Sequence, residues 1–158
     1  MNYTLSDLIQ KLIDIEKDFF NIYVMLEEML KNNSSAIYAV TKAIKKREKS
    51  HIEYYEKLKS NLTDESNETI EFYLYDRISK LLSEFKQNIK LPEIKNAQGL
   101  IKYTVDFKMD NIGLLVDIQG RLLEKIDDVN NNIYKVLSQV IKDEEKHEKM
   151  FEKLLISK

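Results

Sequence analysis

The sequence predicts an all-α protein, a four-helix bundle of two repeated helical hairpins joined by a long crossover that contains an extra helix. Three observations lead to this fold class. The 158 residues include only three glycines and one proline, and 33% of them are charged, which is typical of long helices. Apolar residues recur at helical spacing in four long segments. Two of these segments repeat each other, and no strands are expected.

The bulk composition limits the function classes. A chain of this length fits a single domain, residues 1–158, that can bury a core without disulfides or a structural metal. The absence of cysteine excludes thiolate zinc sites and iron–sulfur clusters, so any electrons must come from an external donor. A net charge of −2 with both signs interleaved argues against nucleic-acid binding.

The N-terminus "MNYTLSDLIQKL" lacks the basic start and the apolar core of a signal peptide. No segment approaches the roughly 18 consecutive apolar residues of a membrane span. We therefore expect a soluble, cytoplasmic protein with no membrane partner.

Polar stretches set the expected limits of the four long helices. Ser6 is the expected N-cap of the first helix. The four helices are expected over about Asp7–Lys31, Ser35–Ser60, Ala97–Asp127 and Asn131–Ile156.

The crossover between the second and third long helices contains an amphipathic segment near residues 69–89. It predicts one more helix of about 18 residues, which Pro92 stops. We expect this inserted helix to be a packing element of the crossover.

Each long helix has an inward stripe that is mostly apolar, and every stripe includes at least one ionisable residue. The stripes read Ile9, Leu12, Ile13, Glu16, Phe19, Phe20, Tyr23, Leu26, Leu30; Ile37, Val40, Thr41, Ile44, Glu48, His51, Tyr55, Leu58; Ile101, Thr104, Lys108, Ile112, Leu115, Ile118, Leu122; and Ile133, Val136, Val140, Glu144, His147, Phe151, Leu154. Tyr54 and Tyr55 are interpreted as core or flanking residues.

An internal repeat relates the second helix to the fourth. A shift of 96 positions gives nine identities in a 22-residue window and places Glu48 on Glu144 and His51 on His147. A shift of 92 relates the first helix to the third more faintly and places Glu16 on Lys108. Two hairpins of one design, joined by a long connection, predict a pseudo-twofold bundle.

The two Glu-x-x-His elements, "EKSH" at 48–51 and "EEKH" at 144–147, predict a metal site. Each pair lies about one turn apart on one helix face, so that its carboxylate and imidazole can bind the same cation. Carboxylates in a dry core are costly unless they are compensated, and a shared metal ion would compensate them.

These residues resemble the ferritin-like superfamily and, within it, the rubrerythrin-like proteins. In those families the first and third helices each give a glutamate, the second and fourth each give Glu-x-x-His, and two irons lie between them. The resemblance implies Glu16, Glu48, His51, Glu144 and His147 as metal ligands. It also places Tyr23 where the family often has a tyrosine, and it implies a homodimer.

The third helix departs from that pattern. Lys108 replaces the expected glutamate, Asn111 stands where many rubrerythrins have a further glutamate, and Leu115 replaces a second tyrosine. Three carboxylates and an ammonium carry −2, so we expect one divalent ion rather than two, with Lys108 near the second metal position and paired with Glu144. A surface lysine and a catalytic amine are the alternatives for Lys108.

Oxygen and imidazole ligands favour iron, although manganese or zinc would also bind. Three functions remain open at this point. The first is a rubrerythrin-like oxidoreductase acting on peroxide or dioxygen. The second is a mononuclear metal-handling protein without turnover. The third is a metal-free bundle that serves as a dimeric interaction module.

Overall fold

The computed structural model describes residues 3–32, 35–123 and 132–156, which are almost entirely helical. The predicted helical fold class is thereby confirmed, and the arrangement is compatible with a helical bundle. The predicted end of the third long helix at Asp127 and the predicted start of the fourth at Asn131 lie outside the described residues. The helices are α1 (Leu5–Leu30), α2 (Ser35–Ser60), α3 (Phe72–Gln87), α4 (Ala97–Leu123) and α5 (Asn132–Ile156).

The start of α1 differs from the expectation. Thr4, not Ser6, is the N-cap: its hydroxyl accepts a hydrogen bond from the Asp7 amide, and the Asp7 carboxylate accepts one from the Thr4 amide at 2.9 Å. This reciprocal pair is a capping box. Ser6 lies inside the first turn, where its amide donates to the Asn67 side chain at 2.8 Å.

Two short strands, β1 (Tyr3–Thr4) and β2 (Thr69–Ile70), pair antiparallel, so the expectation of no strands is wrong. The reason is local. The first amides of a helix have no partner within it, and the crossover supplies acceptors for them, including the Glu68 carbonyl, which accepts from the Leu5 amide at 2.8 Å.

Polar contacts show that each hairpin is antiparallel. Between α1 and α2, Lys59 donates to Gln10 at 2.7 Å, near the start of one helix and the end of the other, and Lys45 pairs with Glu27 at 2.6 Å. Between α4 and α5, Gln119 donates to Ser138 at 2.7 Å. The helices α1 and α4 also meet, since Tyr23 is hydrogen-bonded to Thr104.

The inserted helix α3 packs against α1 and α4. It buries Leu74, Tyr75, Ile78 and Leu82, and the Tyr75 ring stacks on Tyr3 with centroids 4.0 Å apart. This placement agrees with a packing element in the crossover. Taken across the described helices, none has both the length and the apolar character that a bilayer crossing needs.

The predicted inward stripes form the core with few exceptions. Leu154 is 46% exposed. It lies in the last turn of α5, past Phe151, which is buried, so the stripe leaves the core before the helix ends. Four further members of the stripes are only partly buried and pack against the core: Phe20, Val40, Leu58 and Ile112.

Candidate metal centre

The ionisable members of the four stripes meet inside the bundle, contributed by α1, α2, α4 and α5. Their side chains are almost completely removed from solvent, because relative exposure is 0–2% for Glu16, Glu48, His51, Lys108 and Glu144. Such a cluster is stable only where its charges compensate each other or bind a cation.

Lys108 lies at the centre of the carboxylates rather than on the surface. Its Nζ is 2.6 Å from Glu48 Oε1, 3.4 Å from Glu144 Oε2 and 3.9 Å from Glu16 Oε2. The expected partner was Glu144, whereas the shortest contact is with Glu48. The ammonium also lies 5.6 Å from the centre of the Phe19 ring, within cation–π range.

His51 presents its two ring nitrogens to different groups. Nδ1 is 3.6 Å from Glu16 Oε2, beyond hydrogen-bond distance. Nε2 is 3.3 Å from Asp143 Oδ2 and 3.2 Å from Glu144 Oε1. Glu144 therefore contacts the imidazole and the ammonium, on the side of the ring opposite Glu16.

Asn111 holds two of the carboxylates together. Its amide donates to Glu16 Oε1 at 3.0 Å and to Glu144 Oε1 at 3.3 Å. The residue expected beside the ligands thus bridges α1 and α5 from α4.

Tyr23, also expected beside the ligands, is placed differently. Its buried hydroxyl is hydrogen-bonded to Thr104, and its ring packs edge-on against Phe19 with centroids 4.9 Å apart. Among the described residues no carboxylate is hydrogen-bonded to Tyr23, so this side chain belongs to the aromatic packing next to the cluster.

Two residues of the cluster were missed by sequence reasoning. Tyr55, interpreted as a core residue, donates its hydroxyl to Glu144 Oε1 at 3.1 Å. Asp143 lies against His51 and is partly exposed. Both had a spacing signal, because Tyr55 follows His51 by one turn and Asp143 precedes His147 by one turn.

His147 forms no ion pair with Glu16, Glu48 or Glu144 among the described residues. It is partly exposed, and its ring meets His51 edge-on with centroids 4.9 Å apart. Its Nδ1 is buried and has no hydrogen-bond partner among the described residues.

The buried charges control each other's protonation. Burial opposes the charge of Lys108, but Glu144, Glu48 and Glu16 outweigh it and raise the pKa of Lys108 well above its usual value. Burial likewise opposes protonation of His51, yet the Glu16 carboxylate and the contact with Asp143 raise its pKa to about 10. Burial raises the pKa of Glu144 to about 7, against the lowering effect of Lys108.

The pKa values of the two partly exposed groups, Asp143 and His147, are lowered. The close contact with His51 lowers the pKa of Asp143. Burial and the neighbouring His51 lower the pKa of His147, so His147 is neutral at pH 7.

Two groups of metal-binding atoms result, each with its members within 4.8 Å of one another. The inner group is Glu16, Glu48 and His51, all buried, and the outer group is His51, Asp143 and His147. In the inner group, Glu16 Oε2, Glu48 Oε2 and both His51 ring nitrogens have no hydrogen-bond partner among the described residues, whereas Glu48 Oε1 is paired with the Lys108 ammonium at 2.6 Å. Buried polar atoms are normally hydrogen-bonded, so this donor set fits a cation bound by oxygen and imidazole.

Comparisons of the chain with protein-family models, with curated proteins and with solved structures found no match.

Proposed function

We propose that this chain is a ferritin-like, rubrerythrin-like bundle that binds one divalent metal ion through Glu16, Glu48 and His51. The supporting observation is that these buried groups each place a ligand atom within 4.8 Å of the others, and that Glu16 Oε2, Glu48 Oε2 and His51 Nδ1 lack hydrogen-bond partners among the described residues. A cation between them would compensate atoms that are otherwise costly to bury.

The orientation of His51 supports this assignment. A metal-binding histidine usually donates its second ring N–H to a carboxylate, which fixes the tautomer and the ring orientation. His51 Nε2 faces Asp143 and Glu144 at 3.3 and 3.2 Å, so Nδ1, facing Glu16, would be the metal-binding nitrogen. Asp143 then acts as a positioning residue.

Lys108 supports the count of one ion. With His51 neutral as a metal ligand, the three buried carboxylates carry −3, and the Lys108 ammonium, 2.6 Å from Glu48, reduces this to −2. One divalent ion neutralises that charge, whereas a second would leave an excess of +2 in a region with no access to water.

Iron held at this site would supply redox chemistry toward peroxide or dioxygen, and the natural ion is one of iron, manganese or zinc. The chain would hold the carboxylates in place with Tyr55 and Asn111 and would take electrons from an external donor. A single ion makes two-electron peroxide reduction less effective, so metal binding is the part of the function that the geometry supports best. A homodimer is proposed on the resemblance alone.

The test is a metal titration of the chain after preparation without chelators or affinity nickel, under anaerobic reducing conditions. Wild type should bind one ferrous ion per chain. Glu16→Gln removes a ligand. We expect the affinity of this variant for ferrous iron to fall at least about tenfold, because removing residues that merely orient the ligands already costs about that much.

Glu28→Gln is the matched control. It makes the same change on α1 at a carboxylate whose side chain is 74% exposed, and it should bind like wild type. Equal affinity of Glu16→Gln and wild type would reject the proposed inner ligand set.

A metal-free bundle is the second candidate, favoured by the protonation of the cluster. With Lys108 and His51 both cationic and the pKa of Glu144 at about 7, the buried groups come close to neutrality on their own. A chain that binds no divalent ion and unfolds identically with and without a chelator would support this candidate over the first.

A further inference from the structure

A cavity of about 500 Å³ opens between α2 and α5, and both histidines of the chain line it. Asp143 also lines it, as do Lys46 and Arg47, which precede His51 by about one turn on α2. The cavity therefore reaches the outer edge of the buried cluster, on the side of His51 where Nε2 lies 3.3 Å from Asp143.

The side chains at this edge have the types and spacing of a metal site. Asp143 and His147 lie one turn apart on α5, so both side chains face the same direction. His51 reaches them from α2, with its Nε2 3.3 Å from Asp143 Oδ2. One ligand atom from each of the three lies within 4.8 Å of the others. His147 Nδ1 is buried without a hydrogen-bond partner in the described part of the chain.

We propose a second divalent-metal site formed by His51 Nε2, Asp143 and His147 at the edge of this cavity, with its open coordination positions toward the cavity. Two imidazoles and one carboxylate with room for water suit zinc or ferrous iron. This site uses neither Glu16 nor Glu48. It goes beyond the proposed function in assigning Asp143 as a ligand and in grouping His147 with Asp143 rather than with the buried carboxylates.

The two sites share His51 and are therefore occupied one at a time. The inner site needs Nδ1 as ligand and a proton on Nε2, and the outer site needs the reverse, because a neutral imidazole has one lone pair on its ring nitrogens. The outer site is the weaker one, since Lys46 and Arg47 line its cavity and repel a cation. The stoichiometry remains one ion per chain.

The experiment is a Zn²⁺ titration of the metal-free chain, followed by histidine ring NMR. Because the chain has two histidines, His147→Gln assigns each ring. Glu16→Gln should bind Zn²⁺ more weakly than wild type while the His147 ring signals move on binding. The double variant, Glu16→Gln with His147→Gln, should then bind Zn²⁺ a further tenfold or more weakly than Glu16→Gln alone.

Lys149→Gln, at an exposed position of α5, is the control and should leave the residual binding of Glu16→Gln unchanged. No Zn²⁺ binding by Glu16→Gln, or residual binding that is insensitive to His147→Gln, would overturn the outer site. Failure of the inner site has a different signature: Glu16→Gln would then bind as tightly as wild type, and His147→Gln alone would abolish binding.

Discussion

The ammonium of Lys108 lies 2.6 Å from Glu48 Oε1, and both side chains are fully buried. Lys108 comes from α4 and Glu48 from α2, so this ion pair joins the two hairpins at the centre of the core. The internal repeat with a shift of 92 relates Lys108 on α4 to Glu16 on α1. The bundle thus places its own cation where the family resemblance places a fourth carboxylate.

Removal of this cation should destabilise the metal-free chain. Lys108→Met keeps most of the side-chain volume but leaves the buried carboxylates without their ammonium, and breaking a buried pair costs about 3–5 kcal/mol. Urea unfolding in a chelator measures the loss. Lys102→Met on the same helix removes a lysine that is 69% exposed and paired with Asp106 at 2.8 Å, and it should cost less than about 1 kcal/mol. Similar losses for both variants would contradict a central charge role for Lys108.

Replacement of the ammonium by a carboxylate should change the metal count. Lys108→Glu brings the buried carboxylates to four, which two divalent ions neutralise, so we expect about two ferrous ions per chain in the variant and one in wild type. Mass spectrometry of the intact chain under native conditions counts them. Two ions in wild type would show that the ammonium does not limit occupancy, and one in Lys108→Glu would show that charge alone does not restore the second position.

Tyr55 should stabilise the cluster through its hydroxyl. Tyr55→Phe removes the donor that lies 3.1 Å from Glu144 Oε1 and leaves the ring in place. A hydrogen bond to a charged group contributes about 1.5–3 kcal/mol. Because Glu144 is partly protonated near its pKa of about 7, the unfolding should be measured at higher pH, where this carboxylate is charged. Tyr54→Phe is the matched control, since the neighbouring hydroxyl makes no hydrogen bond within the described residues. Equal unfolding free energies for the two variants would remove Tyr55 from the cluster.

The sequence predicted the helices and the identity of the buried charged residues because both depend on the helical spacing of apolar residues. An amphipathic stripe at 3.6 residues per turn determines which side chains face inward, and Glu16, Glu48 and Lys108 follow that stripe to the centre. The internal repeat added that Glu48 and Glu144 occupy equivalent positions on α2 and α5.

Contacts between helices were harder to predict, because they depend on the relative rotation of two elements. The sequence paired Lys108 with Glu144, while the closest oxygen belongs to Glu48. Asp143 was missed because it lies beside the stripe, and it reaches His51 only across the α2–α5 interface. The strand pairing of Tyr3 with Ile70 joins segments far apart in sequence, with no periodic pattern to indicate it.

His51 should make the metal-free chain lose stability as the pH rises. Its folded pKa of about 10 is above the ordinary value of 6.5, so the folded state binds the proton more tightly than the unfolded state. The resulting stability is fully present below about pH 6.5 and is lost as the pH rises through about 10.

Between about pH 7.5 and 9 this linkage predicts a decline of up to about 1.4 kcal/mol per pH unit, because the folded chain holds one more proton than the unfolded chain. Urea unfolding in a chelator at several pH values measures the slope, and His51→Gln should flatten it. His147→Gln should keep the wild-type slope, since the pKa of His147 is lowered and that imidazole is neutral in both states throughout this range. A slope that survives in His51→Gln would mean that His51 is not held as a cation between Glu16 and Asp143.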